Sequence, residues 1–327
     1  MKADLHVHTY HSGYASHLHF LRARDSYSDP FEVYRVAKAR GMDLVCFTDH
    51  DSLDGCLEFL DRRPDAPDFI MGEEIECQFP VGRRARHDGG LKVHLGAIGM
   101  TEQVHRDVQP LRDNVFDAVA YLRQEGVFVA LNHLFFFFDD QVPLADYVWP
   151  LLAACDAAET RNGAMLGAHN ELVERLLRDG EPLRLARVGG SDAHTLTRVG
   201  RTYTVVDANS RAEFLANLRR GRATTGGAHG STGALAREIY ETILHYWASL
   251  VRLRRDDLGA RRRLLGMAAS LGLLPFQFVP GLVAIRGKRA EAARVARYAR
   301  ALGLNRASPA GATPSTFVPC EREEETR

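Results

Sequence analysis

The sequence predicts an α/β protein built on a mostly parallel β-sheet, open or closed into a barrel, with a helical extension behind it. Three observations carry this. Through Val206, short apolar or β-branched runs alternate with helical stretches, and such alternation implies parallel strands joined by crossover helices. The helical stretches carry recognisable start and stop residues. The residues with metal-binding chemistry gather at strand ends, the place where parallel barrels collect their functional groups.

The first strand is read over 3–8 (ADLHVH). Alternation there sets Leu5 and Val7 on one face and His6 and His8 on the other. A His-x-His pair on one strand face is a good two-point grip on a borderline metal such as zinc. The stretch 28–41 reads as a helix, with Asp29 as cap, Pro30 in the first turn and Gly41 at the end. Strands follow at 43–48, running into TDHD (48–51), and at 69–75, which contains GEE (72–74). Another strand, 92–98, carries His94 within it. The helix 114–126 precedes the strand 127–132, which ends at Asn132 and His133. Strand 155–160, helix 168–180 and strand 185–191 lead into GSDAH (190–194), and 202–206 is the last strand read. Structural histidines scattered at random would fall in helices as readily as elsewhere. Here His6, His8, His50, His133 and His194 end or closely follow strands, next to Glu74 and Asp192.

Composition narrows the class. The chain has 327 residues, room for one large α/β domain with an appendage or for two domains. It is 45% hydrophobic and 26% charged with no net charge, so no global electrostatic argument favours nucleic acid as a partner. Residues 228–327 nevertheless hold 16 basic against 9 acidic residues, a net +7, and the rest holds the balancing −7. The five cysteines form no CxxC pair, which argues against a disulfide scaffold or a cysteine zinc site and fits a reducing cytoplasm. No apolar signal region opens the sequence, and neither a phosphate loop nor an HExxH helix is present. The glycine-rich GGAHGSTG (226–233) reads as a linker.

Taken in order, DLHVHT (4–9), AKARGMDLVCFTDHDSLDG (37–55), GEEIE (72–76), KVHLGAIG (92–99), VALNHL (129–134), GSDAHT (190–195) and VGRTYTVV (199–206) resemble the PHP (polymerase and histidinol phosphatase) superfamily of metal-dependent phosphoesterases. The resemblance implies a distorted, TIM-like (β/α)7 barrel with two or three divalent ions, zinc, manganese or iron, at its C-terminal mouth. It implies His6, His8, Asp192 and Glu74 as ligands, with Glu74 bridging. Glu73 is the rival, but the family pattern leaves one residue between Gly72 and the ligand. His94 and His133 match ligands of a second ion, and His50 and His194 those of a third, for which His11, His17 or His19 would complete the set. Asp4 and Asp49 look like outer groups that orient imidazoles.

The activity implied is hydrolysis of a phosphate monoester by a metal-activated hydroxide, with Glu74, Asp192 and His194 as the catalytic groups. The substrate expected is a small phosphorylated metabolite or a nucleotide. Two alternatives stay open: a phosphodiesterase or exonuclease, and a phosphotyrosine phosphatase tied to surface polysaccharide synthesis. Arg161, Arg198 and Arg201 are candidate phosphate holders, because arginine's fork matches phosphate oxygens. Of the four phenylalanines 135–138, some are expected to wall the site and others to fill the core.

The expected organisation is a PHP barrel over 1–227, a helical extension over 228–306 and a disordered tail over 307–327. Residues 235–255 read as an amphipathic helix, and 264–285 contain no charge over 22 residues. That length suffices to span a bilayer, but Pro275, Pro280 and basic clusters on both sides suit a straight span poorly. A helical pair capping the barrel, or peripheral membrane contact through 264–302 on the cytoplasmic face, fits better. The protein is expected in the cytoplasm.

Overall fold

The structure is a computed structural model. It describes every residue except 16–22, 81–90, 137–142, 180–182, 184, 252–258 and 305–327. The expected tail and the candidate ligands His17 and His19 lie outside the described residues.

Among the described residues nine strands form one strongly curved sheet: β1 (Lys2–Asp4), β2 (Leu44–Phe47), β3 (Phe69–Phe79), β4 (Leu91–Ile98), β5 (Phe128–Leu131), β6 (Ala157–Asn162), β7 (Ala186–Gly190), β8 (Thr202–Val206) and β9 (Ala223–Gly227). Their order is β7-β6-β5-β4-β3-β2-β1-β8-β9. The sheet curls until β7 meets β8, where Thr204 Oγ1 accepts from Gly189 N at 2.8 Å and donates to Gly189 O at 2.9 Å. Beyond β1 and β7 the ring closes through backbone bonds, Asp192 N to His6 O at 2.8 Å and His8 N to Ala193 O at 3.0 Å. The result is a nearly closed barrel.

Two features make it irregular. β3 and β4 pair directly as antiparallel strands, with Glu76 opposite His94, and β4 is antiparallel to β5 as well, so it runs against both neighbours. The ninth strand occupies part of the stretch read as a linker. Gly227 has φ +100 and faces Arg201 O so closely that a Cβ would sit 2.1 Å from it, and Gly230 is as close to Ala164 O. Those glycines serve tight packing, not chain freedom.

Among the described residues seven helices surround or plug the barrel: α1 (Pro30–Ala39), α2 (Asp54–Arg62), α3 (Glu102–Val108), α4 (Val115–Gln124), α5 (Leu144–Ala154), α6 (Gly167–Asp179) and α7 (Arg211–Arg219). The expected signals operate in α1, where Asp29 accepts from Phe31 N at 2.9 Å and Gly41 takes φ +80. Inward residues of most strands, among them Ala3, Leu44, Ile70, Ile98, Phe128, Ala157 and Val188, form one apolar cluster closed by Phe214 and Leu218 of α7. The apolar plug leaves the opposite end of the barrel to the polar strand ends.

Three further helices follow: α8 (Thr232–Val251), α9 (Ala260–Leu273) and α10 (Val279–Ala301). α8 and α10 pack on the barrel. Val295 and Tyr298 of α10 join the cluster that holds Phe135, Glu291 accepts from Leu166 N at 2.7 Å, and Lys288 donates to Ala164 O and Glu291 at 2.6 Å each. Among the described residues no helix is long and apolar enough to cross a membrane.

Candidate metal centre

The strand expected over 3–8 ends at Asp4; beyond it Val7 makes a single bridge to Ala193 while His6 and His8 on either side of it turn into the mouth, and on β3 alternation separates two neighbouring acids. Glu73 points outward to His105 Nδ1 at 2.8 Å, and Glu74 points into the mouth, fully buried. Glu74 Oε1 lies 3.0 Å from His133 Nε2, 3.1 Å from His94 Nδ1 and 2.9 Å from Asn132 Nδ2. Its Oε2 lies 3.2 Å from His6 Nε2, 3.4 Å from His8 Nε2 and 3.1 Å from His50 Nδ1. Asp192 Oδ1 approaches His6 and His8 Nε2 at 3.5 and 3.4 Å. One carboxylate is thus shared by five imidazoles contributed by four segments of the ring. His133 and Asp192 reach their places with positive φ, 25° and 50°, a backbone cost that functional sites often carry.

Four groups of potential ligand atoms lie within 4.8 Å of one another: His6, His8 and Asp192; His6, Glu74 and His133; His50, Glu74 and His94; and His8, His50 and His194. The atoms fit divalent cations. Buried His6 Nε2, His8 Nε2 and Glu74 Oε2 have no hydrogen-bond partner, and buried polar atoms are rarely left so without a reason. Nitrogen and carboxylate donors together suit zinc, manganese or iron.

The far nitrogens are held by protein groups. A carboxylate can only accept, so His6 Nδ1 donates to Glu159 Oε1 at 3.0 Å, and the lone pair stays on Nε2. His8 Nδ1 bonds Ser12 Oγ at 2.9 Å, which donates to Asp49 at 2.8 Å. Asp49 therefore orients His8 through Ser12. Among the described residues Asp4 touches no imidazole. It accepts from the amides of Ser191 at 2.8 Å and Gly200 at 2.7 Å and, more distantly, His6, and so fixes the crossing of β1 and β7. Burial pushes its carboxyl up to about 6.

Electrostatics follow the same plan. Burial opposes every charge here, yet the surrounding histidines hold the Glu74 and Asp192 carboxyls well below the usual range. Against the same burial, Glu74 and Glu76 raise His94 to about 9, and Asp25 with Asp192 raises His194 to about 10. His8 is pushed down to about 3 by burial and by His194 and His50. Its ring stacks on His194 with centroids 4.2 Å apart.

Four groups lie outside the expected set. Asp25 Oδ2 is 2.9 Å from His194 Nε2 and 3.4 Å from His50 Nε2. His11 is turned to Glu58 at 2.8 Å and belongs to none of the four groups. Glu159 also accepts from His133 N at 3.0 Å. Glu76 faces His94 Nε2 at 3.6 Å, and Glu238 of α8 accepts from His194 N at 3.2 Å. Asp25 sits in an aperiodic loop and Glu238 in a helix beyond the barrel, so no local pattern marked either. Glu159 could have been noticed as an acid at a strand end.

The arginines are placed differently from expectation. Arg161 binds Gly227 O at 2.9 Å and lies beside His229, and Arg201 binds Thr197 O at 2.6 Å. Neither guanidinium joins the cluster. Arg198 bonds Gly163 O and stands 3.9 Å from Glu238, one residue removed from His194. Phe135 is buried against His169 and Tyr298. Phe136 is 41% exposed, with its ring edge-on to His133, so core and wall are both represented; 137 and 138 lie outside the described residues.

A family model described as PHP-associated matches residues 167–223, a stretch that contains Asp192 and His194. An uncharacterised protein of Methanocaldococcus jannaschii is 41% identical over 76 residues, 23% of this chain and 44% of that protein. The chain thus matches under half the length of this curated relative. Among solved structures, one described as a metal-dependent phosphoesterase of Bifidobacterium adolescentis aligns at TM-score 0.42 and 14% identity, covering 65% of this chain and 91% of that one. PsfC of Pseudomonas syringae aligns at TM-score 0.47 and 18% identity, over 76% and 98%. An amidohydrolase of Chromobacterium violaceum with bound sulfate aligns at 0.46 and 15%, over 68% and 97%.

Proposed function

We propose that the chain is a PHP-type metal-dependent phosphoesterase that hydrolyses small phosphate monoesters. The observation that carries this reading is Glu74, both of whose oxygens are surrounded by histidine nitrogens in a buried mouth. His6, His8, Asp192 and Glu74 would hold one ion. Glu74, His94 and His133 would hold a second, and His50, His194 and Asp25 a third. Bound divalent ions supply a water acidified towards neutrality and neutralise phosphoryl oxygens.

The chain's own part is to prepare that site. Glu159 and Ser12 keep protons on the Nδ1 atoms of His6 and His8, so that Nε2 faces inward. Asn132 donates to Glu74 Oε1 and fixes the carboxylate plane. Glu238 anchors the His194 backbone, and Arg198 beside it is the arginine best placed to meet a phosphate. Phe136 gives one side of the mouth an apolar wall for the organic part of a substrate.

Elemental analysis of the purified protein, paired with phosphate release from a panel of monoesters and one diester with added manganese or zinc, tests the reading. Two or three ions per chain with monoester turnover are expected. Glu74→Gln and Asp192→Asn should each lose more than the ~10–100-fold that removal of an outer partner costs, with an unchanged circular dichroism spectrum. Full turnover in either variant refutes the mechanism. Bound metal with diester cleavage alone moves the assignment to a nuclease-like enzyme.

A further inference from the structure

The helices α9 and α10 leave an apolar surface that the hydrolytic site does not explain. Leu264, Leu265, Met267 and Leu271 of α9 are 42–68% exposed, as are Phe276, Phe278, Leu282 and Val283 of the turn and α10 at 52–60%. Val279 and Ile285 add to the same stretch at 39% each. Ten such side chains along one short stretch are more than the scattered apolar residues that an ordinary surface carries. Among the described residues, α9 buries one position, Gly266, set against Tyr246 and Leu250 of α8 where no Cβ would fit. Further contacts tie the segment to the body. Tyr240 of α8 donates to Gln277 O at 2.5 Å, and the second half of α10 is locked to the barrel by Lys288, Glu291 and Tyr298.

The charge around this surface selects its occupant. Between Asp257 and Glu291 there is no acidic residue, while Arg261, Arg262 and Arg263 precede the apolar run and Arg286, Lys288 and Arg289 follow it. Arg261, Arg262, Arg286 and Arg289 are exposed. These arginines flank the apolar stretch on both sides. We propose that the surface formed by α9, the turn after it and the start of α10 docks on an anionic membrane, with Phe276 and Phe278 entering the interface and the arginines meeting lipid phosphates. Aromatic and aliphatic side chains with basic flanks suit the headgroup boundary, and each basic residue adds attraction to anionic lipid. A second copy suits the face less well: a two-fold contact brings arginine-rimmed surfaces together without a compensating acid.

The test is flotation of the full-length, metal-loaded protein with phosphatidylcholine vesicles, with and without about a third phosphatidylserine, at low and high salt. Binding is expected to vesicles with phosphatidylserine and to weaken as salt screens the arginines. Phe276→Ser with Phe278→Ser should abolish it. Arg261→Ser with Arg262→Ser should weaken it about fivefold per residue. Both variants should keep wild-type turnover of a soluble phosphomonoester, which separates failure of docking from failure of the hydrolytic reading. Absence of binding to either vesicle, or binding that survives the Phe276/Phe278 substitutions, overturns the proposal. So does a dimer in light scattering that those substitutions break in a protein that ignores vesicles.

Discussion

Replacing Glu159 by Gln exchanges one oxygen for an amide nitrogen inside a buried network, and the consequence can be followed atom by atom. Glu159 Oε2 accepts from His133 N at 3.0 Å and Asn162 Nδ2 at 2.9 Å, and Oε1 accepts from His6 Nδ1 at 3.0 Å. A glutamine has one oxygen, which the two donors on the Oε2 side will claim. Its amide then faces His6 Nδ1, and that atom must become an acceptor. The ring proton moves to Nε2, the atom 3.2 Å from Glu74 and 3.5 Å from Asp192 that would otherwise offer a lone pair. Losing an outer partner of this kind costs ~10–100-fold in metal affinity, or about 1.4–2.8 kcal/mol. The metal-free fold should change by only about 1 kcal/mol, because every donor still finds an acceptor. Glu159→Ala, by contrast, strips the network and should lower both. Competition against a chromogenic chelator measures the affinity, and the melting temperature of metal-free protein measures the fold. A Gln variant that binds metal as tightly as wild type, or that loses metal and fold together, refutes the tautomer argument.

Two further expectations follow from the same centre. In metal-free protein His94 and His194 sit near 9 and 10, above the 6.5 of an unfolded chain, so their stabilisation is complete below pH 6.5 and is lost as pH rises through 9 and 10. Metal must displace those protons, so affinity should rise over the same interval by up to about tenfold per pH unit for each proton displaced. Urea melts and metal titrations should therefore slope in opposite directions, and slopes of the same sign contradict the assignment. Gly190→Ala places a Cβ 2.2 Å from His6 Cβ and 2.7 Å from His6 N, prying β7 from β1 at a cost of about 3 kcal/mol or more. Gly233→Ala, which meets nothing within 4 Å, should leave the melting temperature unchanged or slightly raised. Equal melting temperatures for the two alanine variants would show that the β1–β7 crossing is not tight.

Much of this protein is legible in the linear sequence wherever a rule of short range applies. Alternation with period two puts His6 with His8 and separates Glu74 from Glu73, and caps with terminal glycines delimit α1. Eight of the nine strands follow from their apolar runs. The rest depends on which segments the closed ring brings together. Asp25, Glu159 and Glu238 meet His6 and His194 across separations that no local pattern spans. The arginines show the converse, since Arg161 lies at a strand end like the ligands but turns to β9 when that strand takes the place of a linker. A strand's own residues determine which face a side chain occupies, because the pleat repeats every two residues. Only tertiary structure decides what that face meets, because β4 can reverse, β9 can pair and α8 can reach the mouth once the sheet has curled shut.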